Sequence, residues 1–223
     1  MRWQGVLFDL DGTLLDTAPD FIVVLNAMLT DRGRAALPHT DIRAVVSNGS
    51  RALVTLGFGL QPGDDGFDEL NVELRERYSR HLAVHTRLFP GLDDVLRAME
   101  SRHVPWGIVT NKPSLYTLPL LDALQLRTRC ASVVCPDQVT HTKPHPEPMY
   151  KACAEMGVDP ARCVYVGDHE RDIAAGRNAG MQTIAAGWGY IGENEHPCNW
   201  HPDFIVDSVS ALAEVLFAAA TTN

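Results

Sequence analysis

The sequence predicts an α/β protein, a doubly wound and mostly parallel sheet with an inserted helical cap. Short, almost wholly apolar strand segments recur along the chain, amphipathic helix patterns alternate with them, and one long interval carries helix patterns alone. Continuous apolarity marks strands buried on both faces, as in a parallel sheet covered by helices. The alternation is that of successive βα units.

Gly5-Val6-Leu7-Phe8 reads as the first strand. In the interval 16–85, Phe21, Val24, Leu25, Met28 and Leu29 share one helical face, as do Leu70, Leu74, Tyr78 and Leu82, and no segment reads as a buried strand. The chain therefore divides into a catalytic α/β core, 1–15 and 86–223, and a helical cap, 16–85. Leaving the core near Asp16 and returning near Leu88-Phe89-Pro90-Gly91 puts the cap over the carboxyl ends of the strands, where open α/β sheets bind ligands. Asn48-Gly49-Ser50 is expected to open a cap helix. Gly57 and Gly59 are expected to be turn residues rather than a nucleotide loop, since no G-K-[ST] follows them. Helix patterns at 92–103, 114–124, 146–156 and 172–179 then alternate with strands at 106–109, 132–134, 163–166, 183–185 and 204–206. The chain closes on a polar tail, Thr221-Thr222-Asn223.

Composition sets the outer limits. Across 223 residues, 45% are apolar and 21% charged, which is ordinary globular usage. A formal charge of −9 argues against nucleic acid or an anionic membrane as partner, because both reward a basic surface. Apolar stretches are short or interrupted, as by Asn26 and Glu214, and the amino terminus shows no signal-peptide core, so a cytoplasmic protein is expected. Five cysteines without a C-x-x-C read as reduced, structural thiols. The histidines at His141 and His145, and at His196 and His201, read as surface loops: neither group has a standard zinc spacing, and Pro144 and Pro146 break any helix there.

The chemistry is concentrated at strand ends. Asp9-Leu10-Asp11-Gly12-Thr13 follows the first strand, so two carboxylates at i and i+2 can face one site while Leu10 turns away. Such a pair suits one nucleophile and one acid/base. Phosphate monoesters hydrolyse so slowly unaided that a catalyst needs an oriented nucleophile, charge neutralisation and leaving-group protonation together. Thr110 and Asn111, after the strand at 106–109, offer a hydroxyl and backbone N–H groups to a phosphoryl oxygen, and Lys143 offers an ammonium from a proline-rich loop. Gly167-Asp168-His169-Glu170-Arg171-Asp172 opens a helix after another strand, and its hard oxygen donors favour Mg²⁺. Alone, Thr110 or Asp168 would serve as a helix cap, Asp172 as a first-turn acid and Lys143 as a solvated loop residue. Arg51, after a helix start, can approach an anion.

In this order and context, DLDGT, Thr110, Lys143 and GDHERD resemble the haloacid-dehalogenase superfamily, specifically its phosphoglycolate-phosphatase-like branch with a helical cap. The resemblance implies a magnesium-dependent phosphomonoesterase with a phosphoaspartyl intermediate. Asp9 would be nucleophile and metal ligand, and Asp11 acid/base with its backbone carbonyl on the metal. Thr110 and Lys143 would bind phosphate, Asp168 would ligate the metal, and Asp172 would support the site. Asp16-Thr17-Ala18-Pro19-Asp20-Phe21, Ser47-Asn48-Gly49-Ser50-Arg51-Ala52, Val109-Thr110-Asn111-Lys112-Pro113 and Gly189-Tyr190-Ile191 are further similar to the bacterial N-acetylmuramic acid 6-phosphate phosphatases, with His169 standing where an acid is expected. That similarity implies a carboxylate-bearing phosphosugar substrate read by Arg51, and a role in peptidoglycan recycling. 2-Phosphoglycolate is the alternative substrate; a phosphosugar mutase and a non-catalytic phosphate sensor are the alternative functions. A monomer or small homo-oligomer is expected.

Overall fold

The structure is a computed structural model and describes residues 2–218; the tail at 221–223 lies outside them. Six strands form one sheet: β1 (Gly5–Phe8), β4 (Trp106–Val109), β5 (Ser132–Val134), β6 (Cys163–Gly167), β7 (Gln182–Ala186) and β8 (Phe204–Val206). Their order is β5-β4-β1-β6-β7-β8, and every pairing is parallel. β1 is central, with Leu7 opposite Gly107 on one side and Tyr165 on the other. The chain therefore runs outward from β1 in both directions, and the crevice this reversal opens lies at the carboxyl ends of β1, β4 and β6.

Period-two alternation assigns the two faces. Val6, Phe8, Ile108, Val164, Val166 and Ile184 share a core with Leu96 of α5 (Leu92–Ser101), Leu120 and Leu121 of α6 (Ser114–Ala123), and Leu212 of α9 (Val209–Phe217). Leu7, Val109, Val134 and Tyr165 pack on the other face against Met149 and Ala152 of α7 (Glu147–Met156) and Ala175 of α8 (Glu170–Asn178). With every β1 side chain buried, each large aliphatic contributes about 1.5–3 kcal/mol, which fixes the register that aims Asp9.

A two-residue strand, β2 (Leu15–Asp16), pairs antiparallel with β3 (Arg87–Leu88), a ribbon that lacks the length to show in the sequence. Between its strands lie α1 (Ala18–Thr30), α2 (His39–Val45), α3 (Gly49–Phe58) and α4 (Phe67–Arg80). Leu82, grouped with the α4 stripe in the sequence, falls in the turn after that helix. Gly59 is a left-handed helix terminus at φ 75°, as expected, but Gly57 is helical. A Cβ on Gly57 would come within 2.9 Å of Leu25 Cδ1, so that position is a close crossing of α3 over α1 rather than a turn. All five cysteines are free thiols. Among the described residues, no helix is long and apolar enough to cross a membrane.

Candidate active site

Asp9 follows β1, and its backbone N–H donates to Val166 O at 2.9 Å, continuing the strand ladder past its last residue. Lys143 reaches the same point from the loop after β5. Its Nζ lies 2.8 Å from Asp9 Oδ1, 2.7 Å from Asp172 Oδ1 and 2.9 Å from the Tyr165 hydroxyl, with only 1% of the side chain exposed. Burial opposes this ammonium, yet Asp172 and Asp9 outweigh it and hold its pKa above the ordinary value. Lys143 is thus a buried counter-ion, not a solvated loop residue.

Asp168, at the end of β6, is fully buried. Its Oδ1 accepts from the Thr13 hydroxyl at 2.8 Å, and its Oδ2 from Tyr190 N at 2.9 Å and more loosely from the Ser47 hydroxyl at 3.4 Å. Two glycines permit this enclosure: a Cβ on Gly12, at φ +83°, or on Gly189 would lie 2.2 Å from atoms of Asp168. The α8 N-cap is His169, not Asp168, because His169 Nδ1 accepts from Arg171 N while Asp172 Oδ2 accepts from His169 N. Asp172 therefore anchors the helix start with one oxygen and Lys143 with the other. Thr110 is likewise no helix cap. The α6 N-cap is Pro113, and the Thr110 hydroxyl accepts from Lys112 N at 3.1 Å.

Asp9, Asp168 and Asp172 each offer an oxygen within 4.8 Å of the others. Burial first, then the facing carboxylates, push Asp9 up to about 7 and Asp168 up to about 8. Asp172 has Lys143 as its cation, whereas Asp168 receives only neutral donors among the described residues. Asp9 shares that one ammonium, so three carboxylates face a single cation, and the donor set fits a hard divalent cation on Asp9 and Asp168.

Asp11 sits in a second charge pair that the sequence reading passed over. Lys112 Nζ lies 2.9 Å from Asp11 Oδ1, which also accepts from the Thr17 hydroxyl at 2.6 Å. The same ammonium donates to the Tyr78 hydroxyl at 2.8 Å and lies over the Phe21 and Tyr78 rings, which stack at 3.8 Å. Asp11 and Tyr78 outweigh the burial that opposes the Lys112 charge and raise its pKa. Lys112 stood in the Thr110-Asn111-Lys112-Pro113 string, but no spacing rule aims a residue three places past a strand end at a carboxylate on another strand.

A cavity of about 300 Å³ opens on Asp9, Asp11, Thr110, Asn111 and Lys143 and is roofed by residues from the α1–α4 segment, among them Ser47 and Arg75. Asn111 Nδ2 donates to Lys143 O at 3.1 Å, joining the two loops. Arg51 does not line this cavity; its side chain is exposed on α3. The arginines that do are Arg75 on α4 and Arg171, whose guanidinium donates to Ser47 O and Asn48 Oδ1.

Sheet order, short ribbon and acid-lined crevice together define a Rossmann-like α/β core with a candidate active site at the carboxyl ends of its strands. A family model described as haloacid dehalogenase-like hydrolase matches residues 6–186, and the chain belongs to that family. It is 46% identical over 219 residues to the N-acetylmuramic acid 6-phosphate phosphatase of Pseudomonas putida, covering 98% of each chain. It is 41% identical over 211 residues to a phosphoglycolate phosphatase of Xanthomonas campestris, covering 95% of each. Among solved structures, a predicted phosphoglycolate phosphatase from Haemophilus somnus superposes with a TM-score of 0.82 at 26% identity, over 97% of each chain.

Proposed function

We propose that the chain is a magnesium-dependent phosphomonoesterase acting on N-acetylmuramic acid 6-phosphate, releasing N-acetylmuramic acid and phosphate in cytoplasmic peptidoglycan recycling. The carrying observation is a pair of carboxylates on one cavity, each held by its own buried lysine: Asp9 by Lys143 and Asp11 by Lys112. The substrate reading draws on the Pseudomonas putida relative and on cavity size. About 300 Å³ is ligand-sized and more than a two-carbon phosphoglycolate fills.

In this mechanism an Asp9 carboxylate oxygen attacks phosphorus and the ester P–O bond breaks. Lys143 on Oδ1 orients Asp9, leaving Oδ2 for attack. Asp11, its Oδ1 taken by Lys112 and Thr17, gives a proton from Oδ2 to the departing sugar oxygen. It then takes a proton from the water that cleaves the phosphoaspartate. Thr110 and Asn111 bind the phosphoryl oxygens. Asp9, Asp168 and the Asp11 carbonyl would hold Mg²⁺, which would supply charge neutralisation for the carboxylates and the phosphate. Residues 16–85 act as a cap domain on the core 1–15 and 86–223, and their closure excludes water.

The metal reading has a pH signature. A carboxyl whose pKa is raised on folding binds its proton more tightly in the native state, so native stability falls as pH rises from about 4 through about 8. A cation on Asp9 and Asp168 offsets that loss by favouring the ionised forms. Mg²⁺ should therefore raise Tm more at about pH 8 than at about pH 5.5. An increment independent of pH in a melting series would place the ion elsewhere.

We assign the substrate carboxylate to Arg75, which faces the cavity, rather than to Arg51. Arg75→Ala should lower kcat/KM for N-acetylmuramic acid 6-phosphate by about 10- to 100-fold, or about 1.4–2.8 kcal/mol. Arg51→Ala should change it by less than about threefold. Glucose 6-phosphate, which lacks the lactyl carboxylate, should be a poor substrate and should lose little with either variant. Phosphate release measured on both sugars and on 2-phosphoglycolate tests the assignment; a preference for 2-phosphoglycolate, or equal losses on both sugars with Arg75→Ala, would end it.

A further inference from the structure

Outside the Asp9 cavity lining but next to two of its residues, Phe21 and Tyr78, a second group of metal-ligating side chains stands where the α1–α4 segment rejoins the core. Asp20 on α1 is fully buried. Its Oδ2 accepts from the Thr86 N–H at 3.1 Å and the Thr86 hydroxyl at 2.6 Å, and its Oδ1 from the His85 N–H at 2.7 Å. These neutral donors orient the carboxylate without neutralising it. His81, the C-cap of α4, aims Nε2 at Asp20 Oδ1 across 3.7 Å, and that nitrogen is buried with no hydrogen-bond partner. Ala83, at φ 62°, turns the chain so that the His85 ring comes within 5.6 Å of the His81 ring, centroid to centroid. The Arg87 guanidinium holds this turn through Ala83 O, Val84 O and Thr86 O. One ligand atom from each of Asp20, His81 and His85 lies within 4.8 Å of the others.

We propose that Asp20, His81 and His85 form a binding site for a zinc-class divalent cation, separate from the Mg²⁺ site. The gap between His81 Nε2 and Asp20 Oδ1 is too wide for a good hydrogen bond. It is close to the ~3.4 Å that separates two ligands about 2.1 Å from one tetrahedral ion. Two imidazoles and one carboxylate are a borderline donor set that prefers Zn²⁺ or Co²⁺ over Mg²⁺. The Thr86 hydroxyl and the two backbone donors supply the outer hydrogen bonds that fix a ligating carboxylate. His85 is exposed, which gives the ion a route in and leaves its fourth position to water. A bound ion joins α1 to the connection between α4 and β3, and so ties together two elements that flank the ribbon.

Cobalt(II) is the probe, added to the whole protein in saturating Mg²⁺ so that the Asp9 group is already filled. The parent should develop visible d–d absorption that saturates at about one equivalent, and Zn²⁺ should displace it and raise Tm. His81→Ala and His85→Gln should each abolish the band and the Tm increment. His85→Gln also secures the test against misfolding, since the side chain is exposed and the bond to Asp20 comes from the backbone N–H. No band in the parent would overturn the proposal. So would the same band in parent and variants, whether it arose from the Asp9 group or from the exposed His141–His145 pair.

Discussion

Asp9→Asn is expected to leave the fold intact and to lower phosphate release by about 10⁴-fold or more. The amide keeps the shape of the carboxylate but has no anionic oxygen for in-line attack, and positioning cannot replace a missing nucleophile. Structural damage should be small for reasons visible in the site. The Asp9 N–H still donates to Val166 O, and Lys143 still pairs with Asp172. Asp9 is also one of three facing carboxylates, and burial with Asp172 nearby already pushes its pKa up to about 7. A neutral side chain there relieves repulsion, so metal-free Asp9→Asn should melt no lower than the parent at about pH 8. Melting and phosphate release are measured together for that reason. A variant that melts normally and stays within about tenfold of the parent's rate would refute the phosphoaspartyl mechanism.

The strands were legible because each is a short apolar run alternating with amphipathic helix patterns, and β1, β4 and β6 are buried along their whole length, although Ile205 leaves the edge strand β8 partly exposed. Asp9, Asp11, Thr110, Asn111, Lys143 and Asp168 were legible because each stands just past such a strand, or in the loop that follows one, and the parallel sheet brings those ends together. Three features were not. The β2–β3 ribbon has two residues a side, below any periodicity. Lys112 and Arg75 depend on how the helices of 16–85 lie over the core, which no local pattern encodes; the sequence favoured Arg51 because Asn48-Gly49-Ser50 does open a helix, but Arg51 on that helix is not among the residues that line the cavity. His81 and His85, four apart, drew no notice because they lie beyond a helix end. Only the left-handed turn at Ala83 and the buried Asp20 carboxylate from a distant helix give them a shared target.

Lys143→Met is expected to combine a large loss of turnover with a measurable loss of stability, and the two have one cause. The side chain is 1% exposed and its ammonium is the cation against both Asp9 and Asp172. Methionine fills much of the same volume but leaves two buried carboxylates facing each other without a counter-ion. Breaking a buried pair in this one-sided way costs about 3–5 kcal/mol. The loss should be greatest at high pH, above the value of about 7 to which Asp9 is already pushed, and Mg²⁺ should recover part of it. For catalysis, Asp9 loses the bond that orients it and the charge that favours its anion, so its pKa rises further and less of the nucleophile is ionised at neutral pH. Turnover should fall by about 10³-fold, and the acid limb of the kcat profile should move to higher pH than in the parent. That displacement separates charge tuning from simple unfolding, which lowers activity without moving the limb. A profile of unchanged shape in a well-folded Lys143→Met protein would mean that Lys143 only binds phosphate and does not set the state of Asp9.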